Sequence, residues 1–286
     1  MDSGTPAAWP APAKINRFLH IVGRREDGYH LLQTVFQFLD FHDELHFTPR
    51  DDGAVVLAPY GAGHAPGDDL IVRAARLLQA RAGCRSGVDI RMVKRIPAGG
   101  GLGGGSSDAA TTLHALNELW AVGLSTDALA RLGLELGADV PVFVHGRAAW
   151  AEGVGEKLEP LQLDEPWYLV IDPHCPVSTT EVFGDPKLTR HSPRITIAGF
   201  QRGAVHNDCE GVVRALRPPV ARALDWLGEY GPARLSGTGG CLFAAFEDEP
   251  SARSVLARVP RQWRGFVARG LNESPLLQRL ASSPGD

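Results

Sequence analysis

The spacing of hydrophobic residues changes repeatedly along this chain, from every second position to every third or fourth. Alternation predicts strands over 15–22, 31–39 and 88–96. Spacings of three and four residues predict helices over 70–81 and 109–120. The chain therefore combines both kinds of element in its first half.

Capping and turn residues mark the ends of several elements. Asp68 or Asp69 is expected to cap the helix 70–81, and Gly83 is expected to end it. Ser125-Thr126-Asp127 caps a further helix that stops at Gly137. In the second half, the same signals predict strands near 167–171, 242–246 and 265–269, and helices near 178–183, 212–216, 218–227 and 250–258.

Other stretches are predicted to turn or to lack regular structure. A hairpin is expected around Arg50-Asp51-Asp52-Gly53, joining the apolar residues of 45–47 to those of 55–57. The segments predicted to be loose or bent are 1–12, 40–44, 184–203 and the tail to Asp286.

A glycine-rich stretch, Pro97 to Asp108, lies between the strand 88–96 and the helix that follows. Six of the seven positions from 99 to 105 are glycine, a composition that disfavours both helix and strand. Ser106, Ser107 or Asp108 is expected to cap the helix. A strand, a glycine loop and a helix N-terminus together present free N–H groups and a positive dipole end, which suits a nucleotide phosphate.

Three glycine-loop chemistries compete for this stretch, beside the alternative of a flexible linker. A P-loop is rejected because Ser106, not lysine, follows Gly105. Gly99-x-Gly101-x-x-Gly104 fits a dinucleotide fingerprint by letter, but the acid at the required distance, Glu118, falls inside a helix. The third chemistry is a glycine-serine loop that wraps the phosphates of ATP.

Two charged residues have both a structural and a functional interpretation. Lys14 and Asn16 share one face of a strand that is apolar on both sides, so they are costly unless something polar faces them. Alternatively, Lys14 begins the strand at the surface. Asp139 precedes Val140-Pro141, so it is either a helix cap or a carboxylate directed into a site.

Composition excludes several classes of protein. The net charge of −4 gives no general attraction to nucleic acid or to an anionic membrane. The four cysteines, Cys84, Cys175, Cys209 and Cys241, lack metal-like spacing and are interpreted as free thiols in a reducing cytoplasm. The sequence shows neither a signal-peptide pattern nor an apolar run of membrane-spanning length.

Three separated segments, Pro12–Asn16, Pro97–Ser107 and Leu235–Gly239, resemble the three motifs of the small-molecule kinases that include galactokinase, homoserine kinase and mevalonate kinase (the GHMP kinases). Within them the chain is most similar to the kinases acting on 4-diphosphocytidyl-2-C-methyl-D-erythritol. The segments similar to that family's own signatures are Gly28-Tyr29-His30, Gly101 to Ala109, Gly137 to Phe143 and Asn207-Asp208. The resemblance covers roughly residues 9–276.

The resemblance implies transfer of phosphate from ATP to the tertiary 2-hydroxyl of the cytidylated methylerythritol, a step of the non-mevalonate route to isoprenoid precursors. It also implies a two-domain α+β fold, with a ribosomal-protein-like ATP-binding domain over 1–158 and a ferredoxin-like substrate domain over 159–286. Mg²⁺ is expected to accompany ATP, although its ligands are not identified. The expected protein is a cytoplasmic monomer or weak homodimer that binds neither nucleic acid nor membrane.

Residue by residue, the resemblance assigns Asp139 as the catalytic base and Lys14 as its partner. A tertiary alcohol is a poor nucleophile, so a nearby base assists it, and a lysine beside that base favours the ionised carboxylate and steadies charge on the transferring phosphoryl group. The residues expected to bind ATP are Asp69, Lys94, Pro97, Ala98, Gly99, Gly100, Gly101, Leu102, Gly103, Gly104, Gly105, Ser106 and Ser107.

The residues expected to bind the cytidine and erythritol parts are Asn16, Tyr29, His30, Phe36, Thr179 and Phe183. Tyr29 and Phe36 are expected to stack on the cytosine ring. Ordinary core packing is the alternative for Phe36 and Phe183, and a structural hydrogen bond is the alternative for His30. The loop Ser236–Gly240 is expected to support the phosphate loop or the substrate.

Rival functions remain open at this point. A sister kinase for homoserine or another small alcohol retains the ATP loop but not the cytidine-facing aromatic residues. A nicotinamide-dependent oxidoreductase binds NAD in place of ATP. An RNA-binding module on the same fold requires a basic face, which the charge balance does not indicate.

Overall fold

The computed structural model describes residues 8–60, 69–203 and 205–282. The strands are β1 (Trp9–Arg24), β2 (His30–Arg50), β3 (Val55–Leu57), β4 (Gly87–Val93), β5 (Ala149–Gly153), β6 (Lys157–Pro160), β7 (Trp167–Asp172), β8 (Arg234–Leu235), β9 (Leu242–Phe246) and β10 (Arg264–Leu271). The helices are α1 (Leu70–Ala82), α2 (Gly104–Leu119), α3 (Thr126–Leu136), α4 (Val140–His145), α5 (Thr179–Gly184), α6 (Ile197–Gln201), α7 (Glu210–Leu216), α8 (Pro218–Gly228), α9 (Glu249–Leu256) and α10 (Pro275–Ser282).

Strand β2 organises the sheet because its 21 residues pair with several partners. Strand β1 runs antiparallel along β2, while β4 pairs with 44–50, β10 with 38–39 and β5 with 32–36. Through β10 the sheet continues into β7, β9 and β8, so the described strands form one sheet of order β3-β4-β2-β10-β7-β9-β8.

The predicted hairpin around Arg50-Asp51-Asp52-Gly53 is wrong. Strand β3 pairs in parallel with β4, and β4 in turn pairs antiparallel with 44–50 of β2. Strand β4 therefore lies between the two segments that were expected to be neighbours. The predicted bend at 40–44 is also wrong, because β2 remains paired with β1 through His42 to Leu45.

Three segments expected to be irregular contain regular structure. Trp9 to Pro12 belong to β1, and residues 197–201 form α6. Residues 275–282 form α10, whose Leu276 is 1% exposed and packs with the first hydrophobic cluster. The remaining parts of the predicted arm and tail, 1–7 and 283–286, lie outside the described residues.

The locally signalled ends of α1 and α3 are confirmed. The Asp69 carboxylate accepts a hydrogen bond from Ile71 N at the start of α1, and Gly83 ends that helix in the left-handed conformation. Ser125 caps α3 by accepting from Ala128 N, and the helix stops before Gly137. The other candidate cap, Asp68, lies outside the described residues.

Three of the four hydrophobic clusters in the described residues hold these layers together. The first packs α1–α4 against the part of the sheet formed by β2 and β4, and the second packs α5 and α7–α9 against β7 and β9. The third lies between them and includes Leu102 from the glycine-rich stretch, which is 1% exposed. Burying one leucine side chain stabilises the folded state by roughly 1.5–3 kcal/mol. Because Leu102 packs in the cluster between the two halves, it anchors the glycine-rich stretch to both of them.

The structure tests the expectations about the cysteines and about membrane-spanning segments. All four cysteines are free thiols. Among the described residues, each helix is too short or too polar to cross a bilayer.

Truncating the core of α2 tests this arrangement. Leu113 is fully buried, so Leu113→Ala leaves a cavity and should lower the free energy of unfolding by about 3 kcal/mol. Leu119 on the same helix is 38% exposed, and Leu119→Ala should change that free energy by less than about 1 kcal/mol. Urea unfolding measures both; equal losses would contradict the assigned packing of α2.

Candidate active site

The glycine-rich stretch lines a cleft of about 530 Å³. A cleft of this size suits a nucleotide. Of the residues expected to bind ATP, all but Ser107 line it: Asp69, Lys94, Pro97, Ala98, Gly99, Gly100, Gly101, Leu102, Gly103, Gly104, Gly105 and Ser106. Ser107 is fully buried, and its hydroxyl has no hydrogen-bond partner among the described residues.

The loop turns its carbonyl groups away from the cleft. The carbonyls of Gly99 and Gly100 accept from Gly240 N and Cys241 N, and the Leu102 carbonyl accepts from Lys14 N. The Gly101 carbonyl accepts from the Ser236 hydroxyl at 2.9 Å. Within the described part of the chain, no hydrogen bond uses an N–H group from 99 to 106. These N–H groups are therefore available to an anion in the cleft.

Two positions in the loop require glycine. Gly101 has a φ of +77°, and a Cβ there would lie 1.9 Å from the Ser236 carbonyl oxygen. Gly103 has a φ of +74°, and its Cβ would lie 2.5 Å from the Phe143 ring. A side chain at either position is excluded both by the backbone conformation and by its neighbours.

Helix α2 begins earlier than expected, and its predicted cap is wrong. Its N-cap is Gly103, no side chain caps it, and Gly104 and Gly105 form its first turn. Ser106, Ser107 and Asp108 are inside the helix. Since no side chain occupies the first-turn N–H groups, they remain directed toward the cleft with the positive end of the helix dipole.

Lys14 is buried at the end of this loop. Its ammonium group donates to Asn16 Oδ1 at 2.6 Å and to the Gly101 carbonyl at 3.1 Å, and it lies 3.3 Å from Asp139 Oδ2. The three donors of a lysine are thus matched by three acceptors. The alternative that Lys14 begins a strand at the surface is wrong, because Lys14 is 2% exposed and lies inside β1.

Asp139 occupies the N-cap position of α4 without capping it through its side chain. One carboxylate oxygen, Oδ2, faces Lys14. The hydrogen bonds of the described residues leave the other oxygen, Oδ1, free, and 37% of the side chain is exposed. Asp139 therefore presents an unpaired carboxylate oxygen beside a fixed ammonium group.

Asn16 and Phe36, both expected to contact substrate, lie against Lys14. Asn16 is 3% exposed, and its Nδ2 donates to Thr34 while its Oδ1 accepts from Lys14. The Phe36 ring is 2% exposed and lies under the Lys14 ammonium, 5.2 Å from it. Stacking of Phe36 on a base is not supported, because no face of its ring is open to a ligand.

A second cavity, of about 610 Å³, contains the other four residues expected to bind substrate: Tyr29, His30, Thr179 and Phe183. The Tyr29 side chain is 64% exposed, and the rings of His30 and Phe183 stack with centroids 4.8 Å apart. Thr179 Oγ1 lies 2.8 Å from the Thr238 hydroxyl. The cavity joins residues that lie on both sides of the predicted domain boundary at 158/159.

Lys94 is held between two buried carboxylates at the edge of the first cleft. Its ammonium donates to Asp43 at 2.7 Å and to Asp108 at 2.6 Å. Burial lowers the pKa of Lys94, but the two carboxylates outweigh it and raise that pKa. Burial raises the pKa of Asp108, although Lys94 opposes the shift. Asp69 also reaches this edge, where it caps α1 and accepts from the Tyr60 hydroxyl.

The second glycine-rich loop buttresses the first. The Ser236 hydroxyl donates to the Gly101 carbonyl and accepts from Asn16 N at 3.4 Å. Asn207 holds this second loop, since its Nδ2 donates to the carbonyls of Leu235 at 3.0 Å and Gly237 at 2.8 Å. Both residues lie in motifs visible in the sequence, but nothing in the sequence showed which atoms they reach.

Two family models match the chain: "GHMP kinases N terminal domain" over residues 69–147 and "GHMP kinases C terminal" over 194–265. Curated 4-diphosphocytidyl-2-C-methyl-D-erythritol kinases are similar over nearly their whole length. The protein from Alkalilimnicola ehrlichii is 60% identical over 95% of this chain and 94% of its own. The protein from Nitrosococcus oceani is 59% identical over 95% and 97%.

Solved structures agree with these matches. A crystal structure of 4-(cytidine 5'-diphospho)-2C-methyl-D-erythritol kinase has a TM-score of 0.80 and 34% identity, covering 92% of this chain and 99% of that one. The Methanococcus jannaschii mevalonate kinase, at 16% identity and a TM-score of 0.66, covers 94% of this chain and 100% of its own and shares the fold. The α+β GHMP kinase fold expected from the sequence is confirmed. The chain belongs to the 4-diphosphocytidyl-2-C-methyl-D-erythritol kinase family of the GHMP kinases.

Proposed function

We propose that this chain transfers the γ-phosphoryl group of ATP to the 2-hydroxyl of 4-diphosphocytidyl-2-C-methyl-D-erythritol, with Asp139 and Lys14 at the reacting centre. One observation carries the proposal. The Lys14 ammonium lies 3.3 Å from Asp139 and also binds the Gly101 carbonyl of the glycine loop. A base, a cation and a phosphate-binding loop therefore meet at one point, which is what phosphoryl transfer to an alcohol requires.

Asp139 acts as the general base. Its free Oδ1 accepts the proton of the attacking hydroxyl, while Oδ2 stays beside Lys14. Lys14 does not take part in proton transfer; its ammonium orients Asp139 and stabilises negative charge on the transferring phosphoryl group. Asn16 and Phe36 act through Lys14, since they hold its ammonium in place.

ATP binds through the loop backbone. The free N–H groups of 99–106 and the N-terminus of α2 contact the phosphates, and Ser106 at the cleft adds a hydroxyl. Lys94 and Asp69 line the same cleft and contribute to ATP binding there, with Lys94 beside Gly104 and Asp108 and Asp69 at the start of α1.

The cytidylated substrate occupies the second cavity. Tyr29 offers an exposed ring for stacking, and the stacked pair of His30 and Phe183 forms the opposite side. Because Tyr29 precedes residue 158 and Phe183 follows it, binding lies between the two proposed domains, 1–158 and 159–286.

Mg²⁺ is proposed to accompany ATP, and the residues at the cleft fit it. Mg²⁺ prefers oxygen ligands and commonly uses one or two carboxylates together with substrate phosphates. Asp108 lines the cleft, and its Oδ1 is a buried oxygen without a hydrogen-bond partner in the described residues. Asp108 and the Ser106 hydroxyl would hold the ion. When bound, the ion would neutralise part of the negative charge of the phosphates.

Substituting the base tests the proposed chemistry. Asp139→Asn keeps the shape of the side chain but removes its ability to accept a proton. In a coupled ADP-release assay with the cytidylated methylerythritol, kcat should fall by about 10²- to 10⁴-fold. The dissociation constant for ATP should stay within about threefold, because Asp139 does not line the ATP cleft.

Asp164→Asn is the matched control. Asp164 pairs with Arg17, outside the proposed reacting centre, and should leave kcat unchanged. Near-normal turnover by Asp139→Asn would exclude Asp139 as the base. Absence of turnover by the wild type on the cytidylated substrate would refute the proposed function as a whole.

A methyl group in the loop tests whether the backbone binds ATP. Gly101→Ala places Cβ against the Ser236 carbonyl, so the loop must move and ATP affinity should fall by at least about 100-fold. Gly211→Ala is the control. Gly211 lies in α7 with open space around it, so this variant should bind ATP normally. Isothermal titration with ATP measures both, and unchanged affinity in Gly101→Ala would contradict the loop's role.

A further inference from the structure

Arg190 does not line the second cavity itself, but it contacts His30 and Phe183, which do, and the proposed function leaves it unexplained. Its guanidinium Nε donates to His30 Nε2 at 3.2 Å. The other guanidinium nitrogens donate to the carbonyls of Leu188, Phe183 and Asp185 at 2.8 to 3.0 Å. Arg190 thus ties the end of α5 to the ring of His30.

This contact determines where the proton of the His30 ring lies. A guanidinium group has donors and no acceptor, and it stays protonated in proteins. Nε2 of His30 must therefore carry its lone pair, which places the proton of the neutral ring on Nδ1. No hydrogen bond within the described residues occupies Nδ1. The ring therefore has one free N–H donor at a cavity whose lining includes His30.

The charges around the ring also favour its neutral form. Burial, Arg190 and Arg24 lower the pKa of His30 below its ordinary value of 6.5. Asp27 and Tyr29 are the other ionisable groups that line this cavity. At neutral pH His30 is consequently a neutral donor, fixed in orientation by stacking on Phe183.

We propose that Arg190 is a positioning residue that fixes the Nδ1–H tautomer of His30, and thereby makes the cavity select cytosine over uracil. The inference rests on the proposed function, because it takes the cavity as the pyrimidine site. Cytosine N3 is an acceptor and matches the Nδ1–H donor. Uracil carries N3–H, so two donors would face each other and neither would have an acceptor.

The tautomer is measured directly in the wild type. Ring ¹⁵N spectra of histidine-labelled protein, with His30→Gln to assign the signal, distinguish the nitrogen that carries the proton. The expected result at neutral pH is a proton on Nδ1 of His30. A proton on Nε2 would overturn the proposal, and it would leave turnover of the cytidylated substrate, and so the proposed function, intact.

Arg190→Met removes the donor and frees the ring to take the Nε2–H tautomer. With ATP saturating, KM for the cytidylated substrate should rise by about 10-fold with little change in kcat. CDP and UDP serve as competitive probes against that substrate. The wild type should bind CDP at least about 10-fold more tightly than UDP, and Arg190→Met should lose most of this preference.

The wild type and Arg190→Met should respond differently to acid. In Arg190→Met the pKa of His30 rises, because one cation that lowered it is gone. Protonation then restores Nδ1–H, so KM of the variant should improve as pH falls from about 8 to about 6. In the wild type the donor is already present, and protonation of Nε2 would face the guanidinium, so KM should not improve.

Asp185→Ala is the control for a merely structural effect. The Asp185 carboxylate accepts from Lys187 N in the same segment, and its loss leaves the contact of Arg190 with His30 in place. This variant should keep both the CDP preference and the wild-type pH profile. An unchanged CDP preference in Arg190→Met, or a pH profile shared by both variants, would overturn the role assigned to Arg190.

Discussion

The burial of the Lys14 ammonium is the constraint on which the active site depends. A buried charge is costly unless each of its donors is paired, and Lys14 meets this demand with acceptors from three places in the chain. Asn16 comes from the same strand, Gly101 from the glycine loop and Asp139 from the start of α4. Displacing any of the three leaves a buried donor unpaired, so the strand, the loop and Asp139 keep their relative positions.

The same constraint explains why the loop is glycine-rich. With its carbonyls engaged by Lys14, Ser236 and the backbone of 240–241, the loop must pass very close to its neighbours. A Cβ at Gly101 would overlap the second loop, and the adjoining Leu102 fills the core beneath. Glycine permits the loop to pack closely against the second glycine-rich loop. On the side that faces the cleft, the loop then presents a row of free N–H groups.

Much of this site was predictable, and what was missed has a common physical cause. Caps such as Asp69 and Ser125 act within a few residues, and local sequence signals them. Lys14 and Asp139 were assigned by resemblance, and the structure places them in contact. The pairing of β3 with β4, and the contacts of Asp43 and Asp108 with Lys94, join residues far apart in the chain. Such contacts depend on the packed fold, which local spacing does not encode.

Electrostatics accounts for the use of backbone where many nucleotide sites use a lysine. The cation at the ATP cleft, Lys94, is already bound by Asp43 and Asp108, so it offers an incoming phosphate little net positive charge. Lys14 is similarly committed to Asp139 and the loop carbonyl. In the proposed function, the attraction then comes from N–H dipoles, to which the proposed Mg²⁺ would add. Because those dipoles are fixed by the fold, they are aligned before the nucleotide binds, and reorganising them costs little during transfer.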